Sequence, residues 1–335
     1  MQKTNITAID VALLAGVSQS TVSRVFTPGA SVSQEKRRLV LEAAKELGYH
    51  PNAIARGLIT NKTYMVGLVM GETGNPFYPE VLGKFSKGLR KRGYHVLFVN
   101  TEKDDVQHDE IEQFFEYNVD GVIVTDATLS SSLTSNFLQN EVPVVLFNRY
   151  IEDSPCSIVC CNNYLSGKKI GEYLLESGHH RLAYIAGREN TSTSQDRQRG
   201  FKEVLAKHGY ELMREVGHYT YEGGYAAAVR LLQSPEPPDG IFCANDIMAL
   251  GAIDAAKQLG IHVPEEVSII GFDDITSASW SSYSLTTWQQ PVDDMVDAAI
   301  DLLSNEMAKE KSEPVTELFM GKLIERTSVM NRRIN

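Results

Sequence analysis

The sequence predicts two architectures in one chain: an N-terminal all-α helix-turn-helix head, and an α/β core of doubly wound parallel sheets joined to it by a short segment. Three observations carry this reading. Apolar residues at helical spacing flank a lone Gly16 in DVALLAGVSQSTVSRVF, residues 10–26. From Tyr64 onward, apolar runs alternate with amphipathic stretches. Charge also changes sign along the chain: residues 1–62 hold eight Lys or Arg against four acids, so a net +4 head leaves −15 on the rest of a chain whose total is −11. A basic head on an acidic body suits a protein that offers one end to a polyanion.

The head, residues 1–50, divides into three helices. Thr7-Ala-Ile-Asp10 has the form of a capping box and starts a helix over residues 8–15. Gly16 supplies the turn, and Ser18 caps a second helix reaching Phe26, which Pro28 and Gly29 end. Ser33 caps a third from Gln34 to Leu47, which Gly48 terminates. Ala12, Ala15, Val17, Val22, Val25, Val40, Ala43, Ala44 and Leu47 form its core. Two helices joined by a glycine turn match the motif whose second helix enters the DNA major groove. On that helix Gln19, Ser20 and Arg24 are the base-reading candidates, because Arg pairs bidentately with guanine and Gln with adenine. Thr21 and Ser23 fit phosphate contacts or packing. Residues 51–62 are a linker whose NAIARGLI, 52–59, falls short of the ~12 to 15 residues a helix needs in water.

In the body, strands are expected at 64–70, 94–100, 121–125, 142–148, 181–187, 239–245 and 267–273. Helices fit at 78–92, 107–117, 163–177 and 195–208. Such alternation makes parallel sheets with right-handed crossovers. Ligands in these sheets sit beyond the strand C-termini. Those ends carry Asn75, Phe77, Asn148, Arg149, Asn245, Asp246, Asp273 and Asp274, with Arg197 at a helix start. Amides, carboxylates, a guanidinium and an aromatic ring are what a polyol needs for its hydroxyls and its flat apolar face.

Composition excludes several classes. At 335 residues, with 42% hydrophobic and 22% charged, this is a globular chain of more than one domain. No run approaches the ~18 apolar residues of a membrane helix, and MQKTNITAID lacks a signal peptide's apolar core and cleavage site, so the cytoplasm is expected. Cys156, Cys160, Cys161 and Cys243 lack zinc-ligand spacing and read as free thiols, so neither metal nor cofactor is expected. No GxSxG, P-loop, GxGxxG or HExxH accompanies a fitting element. His179-His180 are adjacent and read as a helix end, and Asp273-Asp274 alternate across a strand end instead of converging, so no catalytic residue is assigned.

TAIDVALLAGVSQSTVSRVF resembles the signature of the lactose and galactose repressor (LacI/GalR) family, DVAxxAGVSxxTVSRVL, departing only where Phe26 replaces Leu. The resemblance continues through Val32-Ser33, Leu47-Gly-Tyr49, Pro51-Asn52, Ala55-Arg-Gly-Leu58 and Gly67. In the body it covers GNPFY, VxxDGVI, GHHRLAYIAG, DRxRGF, EGGY, ANDIMALGA, VSIIGFDD and SLTTW. It implies a periplasmic-binding-protein-like core, 63–335, whose two lobes exchange the chain near 162, 290 and 321. The N-lobe would be about 63–161 plus 291–320, and the C-lobe about 162–290 plus 321–335. It further implies that residues 52–59 are a hinge helix forming on DNA, with Leu58 as a minor-groove wedge beside Asn52, Ala55 and Arg56, and with Thr7 and Ser18 joining the DNA-facing set.

By motif, the effector pocket implied is Phe77, Asn148, Arg197, Tyr219, Asn245 and Asp273. Departures fall at Gly71-Glu72, at Asn148 and Cys161 where Asp is common, at Tyr283-Ser284 and at Trp288. The expectation is a bacterial homodimeric repressor of a carbohydrate operon, cytoplasmic and nucleoid-associated when bound to pseudo-palindromic double-stranded operator DNA, with affinity set by a sugar-like effector and without membrane contact. Induction and co-repression both remain open, as does a nucleoside, nucleobase or phosphorylated co-repressor as the effector. A soluble sugar-binding receptor is the distant rival: it predicts a signal peptide and no head. No leucine heptad extends the C-terminus, so a dimer is expected over a tetramer.

Overall fold

The computed structural model describes residues 6–27, 30–50, 62–71, 74–101, 106–125, 129–151, 153–308 and 313–333. They fall into two compact units, 1–63 and 64–335.

The head unit contains α1 (Ala8–Ala15), α2 (Gln19–Val25) and α3 (Gln34–Leu47). Its boundaries are set by side chains near the ends. Thr7 and Asp10 make the reciprocal capping box, the Thr7 amide donating to the Asp10 carboxylate at 2.8 Å. Ser18 caps α2 by accepting from the Thr21 amide, and Ser33 caps α3. Gly16 closes α1 at φ 64, a left-handed conformation that costs a residue with a Cβ. Val11, Val22 and Val40 are fully buried at the centre, with Ala12, Ala15, Val25, Ala43 and Ala44 around them. Val17 and Leu47 are half-buried against this cluster. Val11, absent from the expected core, occupies its middle because α1 turns that face towards α3.

The core unit holds two six-stranded sheets. The first contains β1 (Met65–Gly71), β2 (His95–Thr101), β3 (Gly121–Thr125), β4 (Val144–Phe147), β5 (Ser157–Cys161) and β11 (Thr316–Phe319). The second contains β6 (Leu182–Ala186), β7 (Met213–Val216), β8 (Gly240–Cys243), β9 (Ser268–Asp273), β10 (Thr286–Gln289) and β12 (Lys322–Ile324). Their orders are β11-β5-β4-β3-β1-β2 and β12-β10-β9-β8-β6-β7. All pairs are parallel except β10 with β12. The helices of the first lobe are α4 (Phe77–Lys91), α5 (His108–Glu116), α6 (Ser131–Gln139) and α11 (Val292–Ala308), and those of the second are α7 (Asn163–Glu176), α8 (Ser192–Lys207), α9 (Tyr221–Leu232) and α10 (Asp246–Gln258). The chain leaves the first sheet after Cys161, returns to that lobe after Gln289, and passes over again between Phe319 and Lys322.

The seven expected strands are present with ends shifted by at most two residues, and five more are added: β5, β7, β10, β11 and β12. Three of those five are sheet edges reading MREV, TELF and KLI, whose polar residues break the apolar run. α8 begins at Ser192, so Arg197 lies in its second turn instead of at its start. All four cysteines are buried free thiols. Among the described residues no helix is long and apolar enough to cross a membrane, and no group of three His, Cys, Asp or Glu is placed to hold a metal ion.

Candidate functional site

On α2, packing uses Val22 and Val25 and leaves Gln19, Ser20, Ser23 and Arg24 exposed on the other faces. Thr21 is half-buried. The Ser18 hydroxyl lies 2.9 Å from both the Ser20 and the Thr21 hydroxyls, so the first turn is a linked set of donors and acceptors around the helix N-terminus. Thr7 is exposed but engaged in its capping box. Asn52, Ala55, Arg56 and Leu58 lie outside the described residues.

The second candidate site lies between the lobes at the C-terminal ends of the parallel strands. A cavity of about 10 Å³ there, room for about one water molecule, is lined by Asn75, Tyr78, Asn148, Thr193, Arg197, Tyr219, Asn245 and Asp273. The structure thus brings five of the six expected effector residues together. Phe77 starts α4 behind them: its amide donates to Asn75 Oδ1 at 3.1 Å, and its ring lies edge-on to Tyr78 and lines an adjoining cavity that also touches Asp273.

Asp273 is the pivot. It ends β9 at φ 120 and joins three parts of the chain, accepting from Asn75 Nδ2 at 3.2 Å and from Gln290 Nε2 at 2.8 Å. Burial pushes its carboxyl up to about 6, although the nearby Arg197 charge and these two amide donors pull it down. Behind it, Asp246 accepts from the Ile275 amide at 2.9 Å and the Thr287 hydroxyl at 2.5 Å. Burial and the Asp273 charge raise Asp246 to about 8. Asp274 turns away to Arg326 and Gln289.

Arg197 is held rigidly: Nε donates to Asn163 Oδ1 at 2.8 Å, one terminal nitrogen donates to the Ala244 carbonyl, and the guanidinium lies 3.5 Å over the Phe272 ring. Asn148 follows β4 at φ 68, with Nδ2 donating to the Tyr78 hydroxyl at 3.0 Å. Its Oδ1 is buried with no partner among the described residues. Asn245 caps α10 through its Oδ1, and its Nδ2 is likewise buried with no partner among the described residues. An unmatched acceptor from one lobe and an unmatched donor from the other thus line one cavity. A hydroxyl, which both donates and accepts, satisfies such a pair.

Tyr219 forms the wall. Its backbone is left-handed at φ 63, and its hydroxyl lies 3.2 Å from Thr191 Oγ1 and 2.9 Å from Thr193 Oγ1. The ring fits only because residue 187 is glycine: a Cβ there would lie 2.1 Å from Tyr219 Cζ. Residues at unfavourable φ thus gather at the cleft, as expected of a site whose geometry the surrounding fold enforces.

Tyr78, Thr193 and Gln290 join the cavity or its hydrogen bonds without having been singled out from sequence. Gln290 had a usable signal, since it lies in QQP at an expected lobe crossing. Tyr78 closes the GNPFY stretch without being singled out from it, and Thr193, the second residue of α8, carried no signal. His179 is buried with Nε2 3.1 Å from the Met330 carbonyl, and the His180 ring stacks on Tyr210. Both follow the end of α7 at Glu176 and serve packing.

A family model described as bacterial regulatory proteins of the lacI family matches residues 7–52, and one described as a periplasmic binding protein-like domain matches 172–329. The ribose operon repressor of Escherichia coli (strain K12) is 33% identical over 300 residues, covering 88% of this chain and 91% of that protein. A solved complex of the transcriptional regulator CelR with cellobiose is 31% identical, covers 96% of this chain and 99% of that one, and superposes with a TM-score of 0.72. The lac repressor dimer bound to operator and the anti-inducer ONPF is 23% identical, covers 97% and 99%, and shares the fold with a TM-score of 0.87.

Proposed function

This chain belongs to the LacI family of bacterial regulatory proteins, and from that premise we propose that it is a dimeric repressor of a carbohydrate-utilisation operon whose operator affinity is set by a sugar effector held between the core lobes. The unmatched pair of buried atoms, Asn148 Oδ1 and Asn245 Nδ2, carries the effector part of the reading. A sugar hydroxyl completes both, while Asp273 and Arg197 offer charged hydrogen bonds beside them.

In this reading residues 1–50 bind DNA, 51–62 couple, and the core senses. Gln19, Ser20 and Arg24 read base edges; Thr7, Ser18, Thr21 and Ser23 contact phosphates. Asn52, Ala55, Arg56 and Leu58 act in the hinge at the centre of the site. Two heads on a dimer match two half-sites of a pseudo-palindrome. The effector acts through its differential affinity for open and closed lobes, because a ligand that binds both states equally shifts neither. The protein works in the cytoplasm, on the nucleoid when bound, and no catalytic role is assigned.

The test is fluorescence anisotropy of the full chain on the pseudo-palindromes upstream of its own and neighbouring genes, with and without sugars. Salt-sensitive binding to one site, changed at least several-fold by a sugar, is the expected result. Equal binding to all DNA, or indifference to every sugar, defeats the reading.

A further inference from the structure

A second cavity, of about 690 Å³, lies between the same lobes, and two of its lining residues, Thr191 and Arg149, contact Tyr219. That volume falls in the range of small-molecule sites, whereas the inner cavity of about 10 Å³ admits no sugar ring unless the lobes part. The two are one residue apart on each lobe: Asn148 lines the inner cavity and Arg149 the outer, Thr193 the inner and Ser192 the outer. Between them stand Tyr219, joined by its hydroxyl to Thr191 and Thr193, and the Arg149 guanidinium 5.8 Å over the Tyr219 ring. On the outer side the Tyr150 amide donates to Ser192 Oγ at 3.1 Å and the Tyr150 hydroxyl to Asp196 at 2.6 Å, which clasps the lobes there.

The outer cavity has two unlike walls. The first lobe contributes the apolar Leu129, Leu146 and Ile151 together with Arg149 and Tyr150, and the second the amides Asn190, Gln195 and Gln198. A pyranose ring has this asymmetry, with C–H groups on its faces and hydroxyls around its rim. Arg149, Arg199 and Lys202 line the cavity with one acid, Asp196, which Arg199 pairs at 2.7 Å. Charge therefore admits an anionic group as well as a sugar hydroxyl, and it is the volume and the apolar side of the lining that favour a second ring.

We propose that the effector is a disaccharide or glycoside with two sugar rings, one completing Asn148, Asn245 and Asp273 in the inner cleft and the second filling the outer cavity, Tyr219 swinging aside to join them. This deepens the sugar-effector reading above and rests on it.

The test is isothermal titration and thermal shift of the full chain with D-glucose, D-galactose, D-xylose, D-ribose, glucose 6-phosphate, cellobiose, maltose, lactose and adenine. The expected result is that one disaccharide binds about tenfold or more tightly than its component monosaccharides. Gln195→Trp, which fills the outer cavity from α8, removes that advantage and leaves monosaccharide binding within about twofold; Ile151→Trp does the same from the other lobe should the first variant fail to fold. A monosaccharide or glucose 6-phosphate binding at least as tightly as every disaccharide overturns the two-ring assignment while leaving a carbohydrate effector standing. Binding of adenine, with no sugar bound, overturns both.

Discussion

At the residue scale, the cleft works through a few groups whose surroundings set their chemistry. Asp273 accepts most strongly from a sugar hydroxyl, and at both oxygens, when ionised, and burial holds its carboxyl at about 6. Effector affinity should therefore fall about tenfold from pH 7 to pH 5, since each pH unit below the group's own value costs about tenfold in the ionised fraction. Asp273→Asn should flatten that profile and weaken the effector while leaving operator binding intact; a profile unchanged in the variant would move the titrating group elsewhere. Asp246 has the opposite role, a carboxyl whose ionisation opposes folding. Its folded value of about 8 lies above the ordinary carboxyl value of 3.8. The folded state therefore holds the proton more tightly, so stability declines as pH rises between those values and the penalty is complete above the higher one. Asp246→Asn should gain melting temperature relative to the parent on going from pH 5 to pH 8. A constant difference would show that Asp246 stays neutral throughout. On the head, Arg24→Ala should weaken the preferred operator by ~1 to 3 kcal/mol and relax one base position, whereas equal weakening on all DNA would reassign Arg24 to a phosphate.

Elements position these residues through their ends. α2 is only seven residues long, too short to be stable alone, so its Ser18 cap and its Val22 and Val25 contacts hold the reading surface in place. Ser18→Ala should cost the head ~1 kcal/mol of stability, measured as a lower melting midpoint of the helical signal from residues 1–63, and a change confined to the core transition would contradict it. In the core, the loops after β4 and β7 and the last residue of β9 supply Asn148, Tyr219 and Asp273 at left-handed or otherwise unfavourable φ. The flanking strands enforce those conformations: β4 is paired on both sides within its sheet, and so is β9. Rigid strands below and strained turns above let side chains far apart in sequence meet within a few ångströms.

For the whole molecule, the charge split and the lobe geometry describe a switch. The basic head is attracted to DNA and the acidic core repelled by it, so operator affinity should depend steeply on salt through the head alone. Three chain passages join the lobes, and Asp273, Asn75 and Gln290 bridge them by hydrogen bonds. Light scattering at micromolar concentration should give a dimer of about twice the 37.2 kDa chain. A monomer that still binds a pseudo-palindrome tightly would defeat the two-head geometry.

The sequence alone determined the head, because its helix ends are written locally: Thr7 with Asp10, Ser18 with Thr21, Ser33, Gly16 and Gly48 each act within a few residues of the end they set. It also determined the α/β class and the central strands, whose uninterrupted apolar runs mark burial on both faces. Edge strands such as MREV and KLI stayed hidden, because an edge borrows its conformation from the neighbour it pairs with. Only the tertiary structure decided how the cleft is completed. Tyr78 fixes which atom Asn148 presents, Gln290 shares Asp273 with Asn75 across 198 residues of chain, and Gly187 makes room for the Tyr219 wall. Hydrogen-bond direction and close approach depend on distances in space, and no local pattern of residues encodes them.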